Sequence, residues 1–317
     1  MPLPDQIADT CRRRIEIQPM TAAPLTVAFH IGVHKTATSH LQRSLNRAAS
    51  VLAAEGVQYY GPDHFRLPGQ SLPARFGFPR QKPLVPAEPA PHAQMAQLRK
   101  DGHRVVLSEE NYIGFLNNPR GSGVTKRYPD AGPRLTELAT AIEQDIDICI
   151  AIRRPTAFVN SAYCQMLLGG RVMRPGLFQK RNPLRSVDWL DLVMRLRATK
   201  GVGRLTVWKY EDYAAVFPQI AAHLVGQDHA VRVIPAGRHV NVGLSAAAVA
   251  EVLQRSADGP VEKIGFSARK LLPVSEDFPP FDGFEPEEHE LGDAAYSAQL
   301  AGIAQLEGVT LLMPDQP

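Results

Sequence analysis

Lys35, Thr36, Thr38 and Ser39 follow the apolar run Val27–Ile31 and lead into a segment whose apolar side passes through Leu41 and Leu45. A cation and three hydroxyls at such a turn make an anion site. Backbone N–H groups stand unpaired at a helix start, the helix dipole favours negative charge, and Lys35 adds a full positive charge. A second set is Arg153 with Ser161, eight positions later, again where an alternating apolar segment gives way to a helical one. The planar fork of arginine can hold two phosphate oxygens at once. The turn and first helical residues after it can bring the serine hydroxyl back to the same anion. A third group, Glu109–Glu110, ends the run Val105-Val106-Leu107 and offers a carboxylate base. Each motif alone also has an ordinary reading: a solvated lysine in a turn, a helix start with surface arginines, a helix-capping acidic pair. Two anion motifs together point to a phosphorylated or sulfated ligand.

The nucleotide-triphosphatase loop, Gly-x-x-x-x-Gly-Lys-Ser/Thr, is not met, because its two glycine positions fall on Phe29 and His34. The run His34-Lys35-Thr36-Ala37-Thr38-Ser39 instead resembles the 5′-phosphosulfate loop of sulfotransferases that use 3′-phosphoadenosine 5′-phosphosulfate (PAPS). Relatives carry glycine where Ala37 stands, so the alanine implies a position that does not need positive φ. Arg153-Arg154-Pro155 and Ser161 resemble the family's 3′-phosphate motif. The resemblance covers about Val27 to Gln254. It implies a P-loop nucleotide-hydrolase-like sulfotransferase architecture and PAPS as cofactor, bound by His34, Lys35, Thr36, Ala37, Thr38, Ser39, Arg153 and Ser161, with Arg238 reaching the 3′-phosphate. It implies Lys35 as the catalytic cation and Glu110, with Glu109 as alternate, as general base. It leans towards a carbohydrate or glycolipid acceptor and requires no metal. His34, His64 and His92 are further candidate bases. A base carboxylate works best if burial raises its pKa towards neutrality. Tyr210-Glu211-Asp212 resembles a recurrent run in the family, its two acids expected to cap the next helix.

The elements that must place these residues can be read from periodicity. Ile146, Ile148, Ile150 and Ile152 alternate with Asp147, Cys149 and Ala151, which predicts a strand ending before Arg153. Further strands are expected at Val27–Ile31, Val57–Tyr60, His103–Ser108, Gly203–Lys209 and Val231–Ile234. Helices are expected up to Ala54, from Leu135 to Ile142, from about Thr156, from an N-cap at Ser186 to Thr199, over Ala214–Leu224 despite Pro218, and over Ser245–Gln254. Strands alternating with helices imply a single α/β domain, its mainly parallel sheet flanked by helices. Ligands bind such sheets at the carboxyl ends of the strands, where every motif above falls. Residues 1–24 read as a flexible leader, and 25–317 as one domain with a Pro-rich insertion at about 66–92 that could wall the acceptor site. Residues from Lys270 onward match nothing in the family.

Across 317 residues the net charge is +3, too small to imply nucleic-acid binding. Arg153, Arg154, Arg171 and Arg174 concentrate positive charge near the second motif, and Arg171 and Arg174 could meet an anionic acceptor. Cys11, Cys149 and Cys164 form neither a disulfide framework nor a metal spacing, which favours buried free thiols and a reducing compartment. No apolar stretch is long enough to span a bilayer, and no signal peptide is legible. The expectation is a cytoplasmic enzyme of bacterial type acting on a small-molecule or glycan acceptor, without nucleic-acid partners. Oligomeric state is unreadable. The alternatives are a small-molecule kinase with a degenerate phosphate loop, which would need magnesium, and a non-catalytic nucleotide-binding relative.

Overall fold

A computed structural model describes residues 25–78, 90–116, 123–237, 243–257 and 261–315. The expected leader, part of the Pro-rich insertion and Arg238 lie outside the described residues.

The strands are β1 (Thr26–His30), β2 (Val57–Tyr60), β3 (Arg104–Ser108), β4 (Ile146–Ile152), β5 (Val202–Lys209) and β6 (Val309–Leu312). The helices up to β4 are α1 (Thr38–Ala54), α2 (Pro62–Phe65), α3 (Leu72–Arg75), α4 (Pro91–Arg99) and α5 (Ala131–Ile142). After β4 come α6 (Pro155–Leu168), α7 (Pro175–Arg181), α8 (Trp189–Arg197), α9 (Phe217–Val225), α10 (Ala246–Gln254), α11 (Val261–Leu271) and α12 (Pro286–Ala304). The strands form one six-stranded sheet in the order β2-β3-β1-β4-β5-β6, and every pairing is parallel.

Side-chain alternation divides the core between the two faces. Ile146, Ile148, Ile150 and Ile152 of β4 enter one cluster with Leu135 of α5, Phe158 of α6 and Trp189 of α8. Cys149 and Ala151 enter the other with Leu41 and Leu45 of α1 and Ile220 and Leu224 of α9. Cys149 and Cys164 are buried free thiols. A parallel sheet covered on both faces buries almost every strand residue, and β3 is buried throughout.

Three expectations change. The N-cap of α8 is Asp188, whose carboxylate accepts from the Asp191 N–H at 2.9 Å. Ser186 instead closes a 3₁₀ turn, its hydroxyl donating to Pro183 O. Val231–Ile234 is not a strand: Val231 and Ile234 are 76% and 72% exposed, and the position beside β5 is filled by Val309–Leu312 from the unmatched C-terminal region. The helix expected over Ala214–Leu224 begins only at Phe217, so Pro218 lies in its first turn, where its missing N–H costs nothing. Pro62, Pro73 and Pro91 likewise open α2, α3 and α4. No described helix is long and apolar enough to cross a membrane.

Register then places the chemistry. His30 pairs with Ser108, and Ile152 pairs with Lys209. The loop after β1, Glu109–Glu110 after β3, Arg153 after β4 and Tyr210 after β5 therefore leave the same edge of the sheet. The chain runs from β1 to β2 and β3 on one side, then crosses to β4 on the other, so this edge holds the topological switch point where such sheets bind ligands.

Candidate functional site

Between β1 and α1 the backbone makes an anion nest. Lys35 and Ala37 take positive φ, 68° and 61°, while Thr36 between them does not. Alternation of this kind turns successive N–H groups towards one concavity. Among the described residues the N–H groups of Lys35, Thr36, Ala37, Thr38 and Ser39 have no acceptor. The expectation that Ala37 occupies ordinary backbone is overturned, since it sits in the left-handed region that glycine occupies at no cost. Gly32 also has positive φ, and a Cβ there would lie 3.2 Å from both Glu110 Cβ and Thr38 Oγ1. A bare glycine lets the strand end pass between them.

The hydroxyls divide by role. Thr36 donates to the Val33 carbonyl and so pins the loop. Thr38 is buried, and its Oγ1 has no partner. Ser39 is exposed. The imidazole of His34 is fully engaged. Its backbone N–H donates to Tyr128 Oη at 3.2 Å, the ring stacks on Tyr128, Nδ1 lies 2.9 Å from that hydroxyl, and Nε2 lies 3.1 Å from Asn111 Oδ1. An acceptor at Nε2 places the proton there and leaves Nδ1 to receive the tyrosine hydroxyl. Burial pulls the imidazole pKa down, so the neutral form is favoured. This histidine shapes the loop and has no free nitrogen to act as a base.

The cations converge. Lys35 Nζ donates to Gln165 Oε1 at 3.2 Å. Burial, then the charge of Arg153, pulls its pKa below the ordinary lysine value. Arg153 donates through Nη1 to the Lys35 carbonyl at 2.8 Å and lies 4.5 Å over the ring of Tyr210. Its own carbonyl accepts from Trp189 Nε1 at 2.7 Å. Its Nε is buried without a partner, and burial pulls its pKa down as well. Two partly desolvated cations and two orphaned buried polar atoms favour an anion.

Lys35, Thr36, Ala37, Thr38, Ser39, Arg153, Ser161 and Glu110 all line one cleft of about 890 Å³. Ser161 and Gln165 line it from one face of α6, and the C-cap residue Gly169 continues the same helical spacing. Arg171 lines it too, whereas Arg154 turns to Asp293 on α12 at 3.5 Å and Arg174 is not part of the wall.

Glu109 and Glu110 separate. Glu109 receives Arg66 Nε and Nη2 at 3.1 and 2.9 Å and accepts the Asn111 N–H at 3.1 Å, so it caps a turn away from the cleft. Glu110 faces the cleft. It accepts from Gln42 Nε2 and from Arg66 Nη2, both at 2.9 Å. Burial alone would raise its pKa, but the hydrogen bonds from Gln42 and backbone and the Arg66 charge outweigh it, and the net position is below the ordinary carboxylate value. The expected rise towards neutrality does not occur. His64 lines a neighbouring hollow with Arg66, and His92 is exposed on α4, so neither reaches the cleft.

The chain matches no family model, no curated protein and no solved structure.

Several partners carried no signal in the sequence. Tyr128, Gln42 and Arg66 reach the site only through tertiary packing. Gln165 had a signal, since it stands one helical turn beyond Ser161 on the same face. Tyr210 was visible, but Glu211 and Asp212 do not cap α9. Glu211 accepts the Arg154 N–H at 2.9 Å and the Tyr296 hydroxyl at 3.2 Å, and Asp212 pairs with Lys209 at 2.7 Å. Among the described residues no three His, Cys, Asp or Glu side chains gather closely enough to hold a metal ion.

Proposed function

We propose that this chain transfers a sulfuryl group from PAPS to the hydroxyl of an acceptor. The observation that carries the reading is the hydrogen bond from Arg153 to the Lys35 carbonyl, which ties two anion-binding motifs into one cleft. The free N–H groups from Lys35 to Ser39 and the orphaned Thr38 hydroxyl suit the 5′-phosphate end, and Arg153 with Ser161 suits the 3′-phosphate. When bound, the donor supplies the sulfuryl group: a bond forms from the acceptor oxygen to sulfur while the bond from sulfur to the 5′-phosphate oxygen breaks, its electron pair staying on phosphate.

The residues divide the remaining work. Lys35 places a cation where the leaving oxygen gains charge, in a partly desolvated site where such a charge acts strongly. Arg153 and Ser161 fix the far end of the nucleotide. Glu110 takes the hydroxyl proton. Because Gln42 and Arg66 hold it ionised, it is ready at neutral pH but only weakly basic, which leaves the larger share of rate acceleration to Lys35.

Calorimetry tests the reading directly. Adenosine 3′,5′-bisphosphate is expected to bind without metal and more tightly than ATP with magnesium. Preference for magnesium–ATP would favour the kinase alternative. Binding without transfer to any hydroxyl would favour the non-catalytic one.

A further inference from the structure

The cleft has two unlike halves. Beyond the loop, Arg153 and Ser161, its wall includes Phe115, Met166, Val172, Met173 and Phe178. Phe178 is buried, but Phe115 is 68% and Val172 39% exposed, so apolar surface faces the opening. The Met173 carbonyl accepts from Tyr163 Oη at 2.8 Å, which fixes the segment that presents these side chains. Arg171 and Arg181 stand in the same half, and neither makes an ion pair with any described residue. Glu110 is the only carboxylate in the described lining. A volume of about 890 Å³ lies near the top of the range of roughly 300–1,000 Å³ for single-ligand sites.

A sugar acceptor would need polar partners along this wall, because each buried hydroxyl that loses water without a hydrogen bond is penalised. This half offers mainly methionine, valine and phenylalanine, with guanidinium groups beside them, and its amide, Asn182, is buried and already committed, donating to the Phe178 carbonyl at 3.1 Å and accepting from Arg127 Nη1 at 3.3 Å. We propose that it holds the acceptor, and that the acceptor is an amphiphile: a hydroxyl-bearing apolar body with an anionic group that meets Arg171 and Arg181. The assignment rests on the sulfuryl-transfer reading, since the reacting hydroxyl must lie in reach of Glu110.

The test uses the full chain saturated with adenosine 3′,5′-bisphosphate and three probes: 12-hydroxydodecanoate, dodecan-1-ol and maltose. Calorimetry is expected to rank the hydroxyacid first, the alcohol about tenfold weaker for want of the charged contact, and maltose last. Val172→Asp is expected to weaken the hydroxyacid about tenfold or more by placing a carboxylate in the apolar wall, while bisphosphate affinity stays within about twofold. The double variant Arg171→Ala, Arg181→Ala is expected to weaken the hydroxyacid and leave the alcohol unchanged. Maltose binding as tightly as the hydroxyacid overturns the proposal. So does a Val172→Asp protein that loses bisphosphate and keeps the hydroxyacid, because the apolar half would then hold the nucleotide base. Failure of the unaltered protein to bind bisphosphate, with the hydroxyacid still bound, overturns the donor reading and the acceptor role with it.

Discussion

Arg153 Nη1 donates to the carbonyl oxygen of Lys35 at 2.8 Å. The residue that follows β4 thus holds the backbone of the loop that follows β1, and a change at one anion motif is felt at the other. Tyr210, from the end of β5, supports the same guanidinium through its ring at 4.5 Å. Three adjacent parallel strands therefore converge on one side chain.

Arg153→Ala removes the charge, the fork and the support of the loop. Hydrogen bonds to charged groups contribute about 1.5–3 kcal/mol each, so affinity for adenosine 3′,5′-bisphosphate is expected to fall by about ten- to a hundredfold. Arg153→Lys restores charge but neither the planar fork nor the stacking on Tyr210, and recovers only part of the loss. Calorimetry on both variants decides the matter. Unchanged affinity in Arg153→Ala would remove this residue from the site.

Ala37 is expected to yield a more stable protein when replaced by glycine. Its φ of 61° places a Cβ against the following carbonyl. Relief of that strain exceeds the added freedom of the unfolded chain, for a net gain of about 1 kcal/mol and a rise in Tm of a few degrees. Bisphosphate binding should persist, since the N–H groups keep their places. A fall in Tm would show that this position is not left-handed.

How much of this was legible in the sequence follows from the range of the interactions. The alternation of Ile146, Ile148, Ile150 and Ile152 is local and marked β4 without ambiguity. Lys35 and Arg153 were visible because each sits at a break in periodicity, where a strand hands over to a helix. The pairing of β6 with β5 was not visible. Val309–Leu312 is no more apolar than Val231–Ile234, and only the sheet edge left open beside β5 separates them. The bond between Arg153 and Lys35, and the clamp of Arg66 on Glu109 and Glu110, join segments far apart in the chain, so no local spacing encodes them. The positive φ of Ala37 was misread for a related cause. Alanine is a poor residue for that conformation, and the surrounding loop imposes it.

Glu110→Gln is expected to lower turnover by about 10²–10⁴, the scale of a lost base, while bisphosphate affinity remains. The pH dependence is more telling. Burial raises the Glu110 pKa, but Gln42, backbone and Arg66 carry it below the ordinary carboxylate value. A base works deprotonated, so the acid limb of kcat/KM should lie below that of an ordinary glutamate. Arg66→Gln removes the charge and leaves burial to act, so the limb should move to higher pH. A limb that stays in place would detach the pH profile from Glu110.

Lys35 is expected to set the alkaline limit of bisphosphate binding. In the free protein, burial and then Arg153 depress its pKa below the ordinary lysine value, and a bound anion favours the ammonium. Bisphosphate affinity should therefore fall as pH rises through the depressed pKa, earlier than an unperturbed lysine would allow. Lys35→Met should bind weakly and show a flatter alkaline slope. A depressed lysine is protonated more in the unfolded state than in the folded one, so stability of the unaltered protein rises with pH across the interval between the two pKa values. Without ligand, Lys35→Met is thus expected to be the more stable protein near neutrality, with the difference shrinking as pH climbs through the depressed pKa. Denaturant titrations of both proteins at several pH values measure that difference. A Lys35→Met protein less stable than its parent at neutral pH would mean that the ammonium is satisfied in the free fold, with no unmet charge waiting for an anion.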